Sequence, residues 1–252
     1  AAVTFYGGVT QPEVEAFYKK KQAAKDPRPP SYGLNSKLVK EKGKLVERTW
    51  KVGGMYSPAI EAMAGWLRKA AEVAETPAQK AALDQLVAYY ETGDLRTFDA
   101  YNIAWVKDTE SRLDVVNGFI ETYDDPLGYR ATFESVVSFK DMIATRRIAA
   151  LAAEAQWFED NSPIAADHKK KDVVGITAKV ITVIVEGGDA APTTPIGINL
   201  PNADWIRKEH GSKSVNLGNI VAAYDLARAR SGLLEEFAAT PEEVERARAH
   251  GD

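Results

Sequence analysis

The stretch from Val173 to Val185 is almost wholly β-branched and apolar. Such a run packs well on a pleated surface and poorly on a helix, so it reads as a buried strand. Gly187-Gly188-Asp189 ends it. A second strand block comes earlier. Leu113–Thr122 and Thr132–Phe139 alternate like strands around the turn cluster Asp124-Asp125-Pro126-Leu127-Gly128, which predicts a hairpin with a loop longer than two residues. Lys44–Val52 reads as a further strand, and Pro195–Leu200 as a short one.

Helical patterns lie before, between and after these blocks. Thr10-Gln11-Pro12-Glu13 is a capping box that opens a helix, and Asp26-Pro27-Arg28-Pro29-Pro30 leads into a loop. Residues 57–75 place Ile60, Met63, Ala64, Leu67 and Ala71 at helical spacing. Thr76-Pro77-Ala78-Gln79 opens a second helix, Gly93 ends it, and Asp94 caps a third. An alanine-rich helix is expected from about Asp141 to Phe158. Asn202 is expected to cap a short helix to His210, and residues 215–230 and 241–250 read as helices, the last behind the box Thr240-Pro241-Glu242-Glu243. Strands gathered in blocks, with helices around them, predict an α+β architecture and not an alternating parallel sheet.

At 252 residues, one or two domains fit. With 45% hydrophobic and 27% charged residues the chain can bury a sizeable core. A net charge of -4 gives no pull toward nucleic acid or an anionic membrane, and no apolar run approaches the roughly 18 residues of a membrane span. Without cysteine there is neither a disulfide nor a thiolate metal site. The compartment stays open, cytoplasm ranking ahead of periplasm. His168, His210 and His250 are isolated and outside any H-E-x-x-H pattern, so each reads as an ordinary residue and no metal site is expected from this chain alone. Glu235-Glu236 reads as a solvated helix face and Glu242-Glu243 as helix-start acids. Gly187-Gly188-Asp189 lacks the spacing of a phosphate loop.

Two segments invite a functional reading. In Asn117–Gly128, Glu121 and Tyr123 are two apart and so share a strand face, where a carboxylate beside a phenol can hold a cation and donate a hydrogen bond. In Thr194–Asn202, Gly197 leaves backbone open to close approach, and Asn199 and Asn202 offer amide donors and acceptors. Together they suit an extended peptide docking by strand addition, its free amino end on Glu121. Ordinary solvent-facing strand residues explain the same pattern.

These segments resemble signatures of the dipeptidyl-peptidase III family: Gly118–Gly128 as G-F-I-E-T-Y-x-D-P-x-G, and Pro195–Asn202 as P-x-G-I-N-x-P-N. Ser31–Ser36, Lys51–Tyr56, Thr97–Asp99, Ala155–Asp160 and His210–Val215 are similar to bacterial members, so the resemblance runs from about Tyr6 onward. It implies a zinc exopeptidase that removes dipeptides from peptide amino ends. Its fold has two lobes across a cleft, one with a five-stranded β-barrel and the other mainly helical and zinc-bearing. It further implies that Glu121 contacts the substrate ammonium, that Asn199 and Asn202 hold that end, that Ile196 and Gly197 offer backbone, and that Tyr123 stabilises the oxyanion as a catalytic group. Some members carry a basic residue where Asp124 stands, so no subsite preference carries over.

The family's zinc motif, H-E-x-x-G-H, does not occur in this sequence. The expectation is a central piece that binds short peptides with a free amino end. Zinc would come from the missing half of the enzyme, and the piece alone would not turn over peptide. The alternative is a non-catalytic peptide-binding or scaffold module, so enzyme status stays open. In family terms, residues 1–140 are a barrel-lobe segment with helices, 141–172 belong to the helical lobe, 173–228 return to the barrel lobe, and 229–252 begin the helical lobe again.

Overall fold

A computed structural model describes residues 4–22, 25–173, 176–191 and 194–249. The α+β class holds. A short strand β1 (Tyr6–Gly7) precedes helix α1 (Gln11–Gln22), which the Thr10 box opens: Thr10 N–H donates to Glu13 Oε2 at 2.9 Å. Strands β2 (Ser36–Glu41) and β3 (Lys44–Thr49) form a hairpin around Lys42-Gly43, with φ of 48° and 77°. Positive φ at both central residues is the twist-matched turn of tight hairpins. β1 pairs parallel with β2, completing a three-stranded sheet β1-β2-β3. β2 corrects the expectation of a loop there. Its SKLVKE sequence buries Ser36 and Leu38, but Lys37, Lys40 and Glu41 break up any apolar pattern.

Helices α2 (Ser57–Glu72), α3 (Pro77–Thr92) and α4 (Leu95–Lys107) follow. Thr76 Oγ1 accepts from Gln79 N–H at 3.0 Å, and Asp94 Oδ1 accepts from Arg96 N–H at 2.8 Å, so both caps form. Gly93 stops α3 at φ 69°. Leu67, Leu83, Leu86, Tyr90, Phe98 and Trp105 bury one face of this trio. Each buried side chain of this size contributes about 1.5–3 kcal/mol.

That face packs on strands β4 (Leu113–Phe119) and β5 (Phe133–Lys140). After β5 come α5 (Met142–Ala153) and α6 (Ala155–Asn161), divided at Glu154, so the helix expected from 141 to 158 is two. Then come β6 (Ile176–Gly188), β7 (Gly197–Leu200), α7 (Asp204–His210) and β8 (Ser212–Leu217). Helices α8 (Gly218–Ser231), α9 (Leu233–Phe237) and α10 (Pro241–Ala249) end the described chain. The Thr240 box forms reciprocally: Glu243 N–H donates to Thr240 Oγ1 at 3.2 Å, and Thr240 N–H to Glu243 Oε2 at 3.3 Å.

The five-stranded sheet has the order β4-β5-β6-β8-β7. All neighbours are antiparallel except β6 and β8. Among the described residues no ladder joins β7 to β4, so a closed barrel is not formed by these strands. Residues 215–217 are strand and not helix. Their strand carries Lys213 fully buried, with Nζ 3.0 Å from Asp114 Oδ2 and 4.2 Å from the Trp105 ring centroid. An ammonium is tolerated there because it is paired and lies over an aromatic face.

Candidate functional site

β4 ends at Phe119, not at Thr122, so Glu121 and Tyr123 project from a loop and not from one strand face. The ladder fades gradually. Ile120 N–H donates to Thr132 O at 3.1 Å, and Thr132 N–H to Glu121 O at 3.0 Å. Two turns then follow, closed by Asp125 N–H to Thr122 O at 3.0 Å and Gly128 N–H to Asp125 O at 2.9 Å. Under the loop lies Arg130, with no exposed surface. It donates to Gly33 O at 2.6 Å and Ser36 Oγ at 2.8 Å, and bonds the Tyr18 hydroxyl.

The second segment runs along the sheet edge. Leu217 N–H donates to Ile196 O at 3.0 Å, Gly197 pairs with Asn216, and Asn199 pairs with Ser214. Leu200 is buried and Ile198 packs on the core, so Gly197 and Asn199 face the opposite, exposed side. Asn202 does not cap α7, whose N-cap is Ala203. Its amide is used elsewhere: Nδ2 donates to Glu121 Oε1 at 3.1 Å. Residues 81 apart in sequence thus meet. The amide oxygen of Asn202 has no hydrogen bond among the described residues.

Glu121, Tyr123 and Asn202 line one side of a cleft of about 940 Å³, a size that accommodates small-molecule and short-peptide ligands. The proline loop from Asp26 to Tyr32 lines another part, together with Trp205. Neither showed a binding pattern in sequence. Ile196, Gly197 and Asn199 are not among the residues lining this cleft. Gly197 and Asn199 lie on the edge strand β7 leading to Asn202, and Ile196 directly precedes it.

Charge concentrates at the Glu121 end. Burial, with Glu121 and Asp189 nearby, pushes the Glu134 carboxyl up to about 7. Asp189 is tied in by Thr132 Oγ1, which donates to its Oδ2 at 3.1 Å. Glu134 and Asp189 were not singled out from sequence, because nothing local distinguishes them from strand-end acids. The Glu121 charge also raises the phenol of Tyr123, which is 85% exposed. The phenol therefore stays protonated and able to donate at neutral pH.

Asp99 on α4 is a second displaced acid. It is 5% exposed, its Oδ2 has no partner, and it lines a small cavity of about 40 Å³ that Asn202 also lines. Burial pushes its carboxyl up to about 7 against the pull of Arg96, with Asp94 and Asp26 adding to the rise. Unfolded carboxyls titrate near 4. Between pH 6 and 8 the unfolded acids are ionised, while native Asp99 and Glu134 still release protons. The native state then binds more protons, so stability falls as pH rises through this window. The urea midpoint is expected to drop from pH 6 to 8, and Asp99→Asn to flatten that drop. An unchanged slope in the variant would remove Asp99 as its source.

Among the described residues no group of three or more His, Cys, Asp or Glu could hold a metal ion. His168 is exposed in a short turn, and His210 ends α7 near Trp205. His250 lies outside the described residues. No helix among them is long and apolar enough to cross a membrane.

Peptidase family M49 matches residues 17–243. Human dipeptidyl peptidase 3 is 29% identical over 184 residues, which covers 73% of this chain and 25% of that protein. An Arabidopsis thaliana protein named Nudix hydrolase 3 is 31% identical over 170 residues, 67% of this chain and 22% of its own length. The solved structure of DPP III from Caldithrix abyssi superposes with a TM-score of 0.78 at 25% identity, covering 96% of this chain and 45% of that one. The chain thus spans about a quarter of these curated relatives and under half of the solved structure. A family match over residues 17–243, nearly its whole length, makes this chain a member of peptidase family M49, the dipeptidyl-peptidase III family.

Proposed function

We propose that this chain supplies the substrate-recognising wall of a dipeptidyl-peptidase III-type enzyme, taking short peptides by their free amino end. The observation that carries this reading is the 3.1 Å bond between Asn202 Nδ2 and Glu121 Oε1. It brings a carboxylate and an amide together in the lining of the cleft, and an ammonium has three donors to spend on such acceptors. Glu134, held partly protonated near neutrality, adds negative charge when an ammonium arrives. Asn199 and the backbone of Ile196 and Gly197 then hold the first peptide unit as an added strand on the free edge of β7. Tyr123 donates to the scissile carbonyl as it gains negative charge.

In this reading the five strands correspond to the barrel lobe of the family. Residues 141–172 and those after about 229 belong to the helical lobe, whose zinc-bearing part is a partner. The role proposed for this chain is recognition, with hydrolysis supplied by the zinc-bearing part.

Calorimetry with a tetrapeptide and its N-acetylated form tests this. The free-amino peptide should bind, acetylation should abolish binding, and Glu121→Ala should weaken it at least tenfold, about 1.4 kcal/mol. Equal binding of both peptides, or of neither, overturns the reading. Zinc-dependent dipeptide release by this chain alone would overturn its restriction to recognition.

A further inference from the structure

Glu121 and Tyr123 lie outside regular structure, so something must fix their direction. The backbone of Glu121 is held by Thr132. Tyr123 stands two residues further on, 85% exposed, inside a turn that closes at Asp125. Asp125 also opens the next turn through its carbonyl, so both turns share this residue.

The Asp125 side chain is 4% exposed and accepts four hydrogen bonds. Its Oδ1 takes Leu127 N–H at 3.0 Å. Its Oδ2 takes Tyr129 N–H at 2.9 Å, Arg130 N–H at 2.8 Å and the Tyr6 hydroxyl at 2.7 Å. The first three bonds close the loop on itself. The fourth fastens it to β1, which is clamped beside β2 with Tyr6 opposite Leu38. Only a carboxylate satisfies this set, because all four groups are donors. An amide would turn an NH2 group toward N–H or O–H donors on one side. Burial and the neighbouring Asp125 push the Tyr6 phenol upward, so it is a donor at neutral pH.

We propose that Asp125, anchored by Tyr6, is a positioning residue that holds Tyr123 and Glu121 in register for peptide recognition. The inference rests on the recognition reading above. Its physical content is separate: the loop is rigid because it is tied to the small sheet, and without that tie the two groups no longer converge. Recognition and β1 are thereby coupled, although β1 contributes nothing to the cleft lining.

Two measurements on the whole chain test it. Nitrogen-15 relaxation should give Tyr123 an order parameter near that of rigid backbone, about 0.85, falling below about 0.6 in Tyr6→Phe. Titration calorimetry should show the free-amino tetrapeptide at least tenfold weaker in Tyr6→Phe, with the melting midpoint within a few degrees of the parent chain. Asp125→Asn should exceed both effects; if it does not fold, Tyr6→Phe carries the test. An unchanged order parameter in Tyr6→Phe overturns the proposal. So does a lowered order parameter with unchanged affinity. If the parent chain binds no peptide, the recognition reading falls, while the relaxation measurement still decides whether Asp125 and Tyr6 fix the loop.

Discussion

Replacing Arg130 with methionine is expected to destabilise the chain by about 3–5 kcal/mol, the range for removing one member of a buried ion-pair network. The guanidinium is fully buried and serves four groups: Gly33 O, Ser36 Oγ, the Tyr18 hydroxyl and, at 3.6 Å, Glu47. It also lies over the Tyr18 and Tyr6 rings, 4.9 and 5.5 Å from their centroids. Methionine fills much of the volume but leaves the Gly33 carbonyl only the longer 3.2 Å bonds from Ser36 N–H and Ser36 Oγ. Glu47 keeps Lys21 and Tyr18. Burial pushes its carboxyl up, but the hydrogen bonds from Lys21 and Tyr18 outweigh that and hold it below the usual range. Arg130→Lys should recover little, since one ammonium cannot reproduce the planar fork. Calorimetric melting should show a fall of roughly 10 °C in the methionine variant. A fall of only a degree or two would mean the network contributes little net stability.

Gly188→Ala should cost about 2–4 kcal/mol, combining a left-handed backbone with overpacking. Gly188 has φ 67°, and a Cβ there would sit 2.0 Å from Phe133 O. That carbonyl already accepts Asp189 N–H at 2.9 Å, and Gly188 pairs with Glu134. The backbone must part at the place where two of the acids gather. Stability and acid–base behaviour should therefore move together: the urea midpoint drops, and Glu134 titrates closer to an ordinary glutamate. A stable variant with an unaltered Glu134 titration would show that the sheet end yields without cost.

The helical part of the fold was legible because its boundaries are written in single residues. Thr76 with Pro77, Gly93 and Asp94 mark ends through caps that act within one turn of chain. β6 was legible from β-branched density. β2 and β8 were not, for a shared reason. β2 carries two lysines and β8 one, Lys213, which is buried only because Asp114 and Trp105 arrive from 99 and 108 residues away in sequence. Sequence patterning has no means to anticipate that pairing. The candidate site divides in the same way. Glu121, Tyr123, Asn199 and Asn202 were visible through their segments, but the contact between Glu121 and Asn202 exists only after the sheet is assembled. The Asn202 amide was expected to cap α7, and the tertiary partner won over the local one. Glu134, Asp189 and Asp99 stayed invisible because what sets them apart is burial, and burial is a property of the fold.

The order β4-β5-β6-β8-β7 places the later strand β8 inside the earlier strand β7. Among the described residues β7 is paired only with β8, so on a growing chain it emerges with no ladder to join. Residues 212–217 must first settle beside β6, and β7 is then hung on the outside. The site thus matures from two ends of the folding process. The Glu121 loop depends on a hairpin whose halves are close in sequence, while Asn199 and Asn202 wait for the strand that follows them. Non-local pairing of this kind is slow relative to hairpin closure. A folding molecule should therefore form the Glu121 loop before it places Asn199 and Asn202.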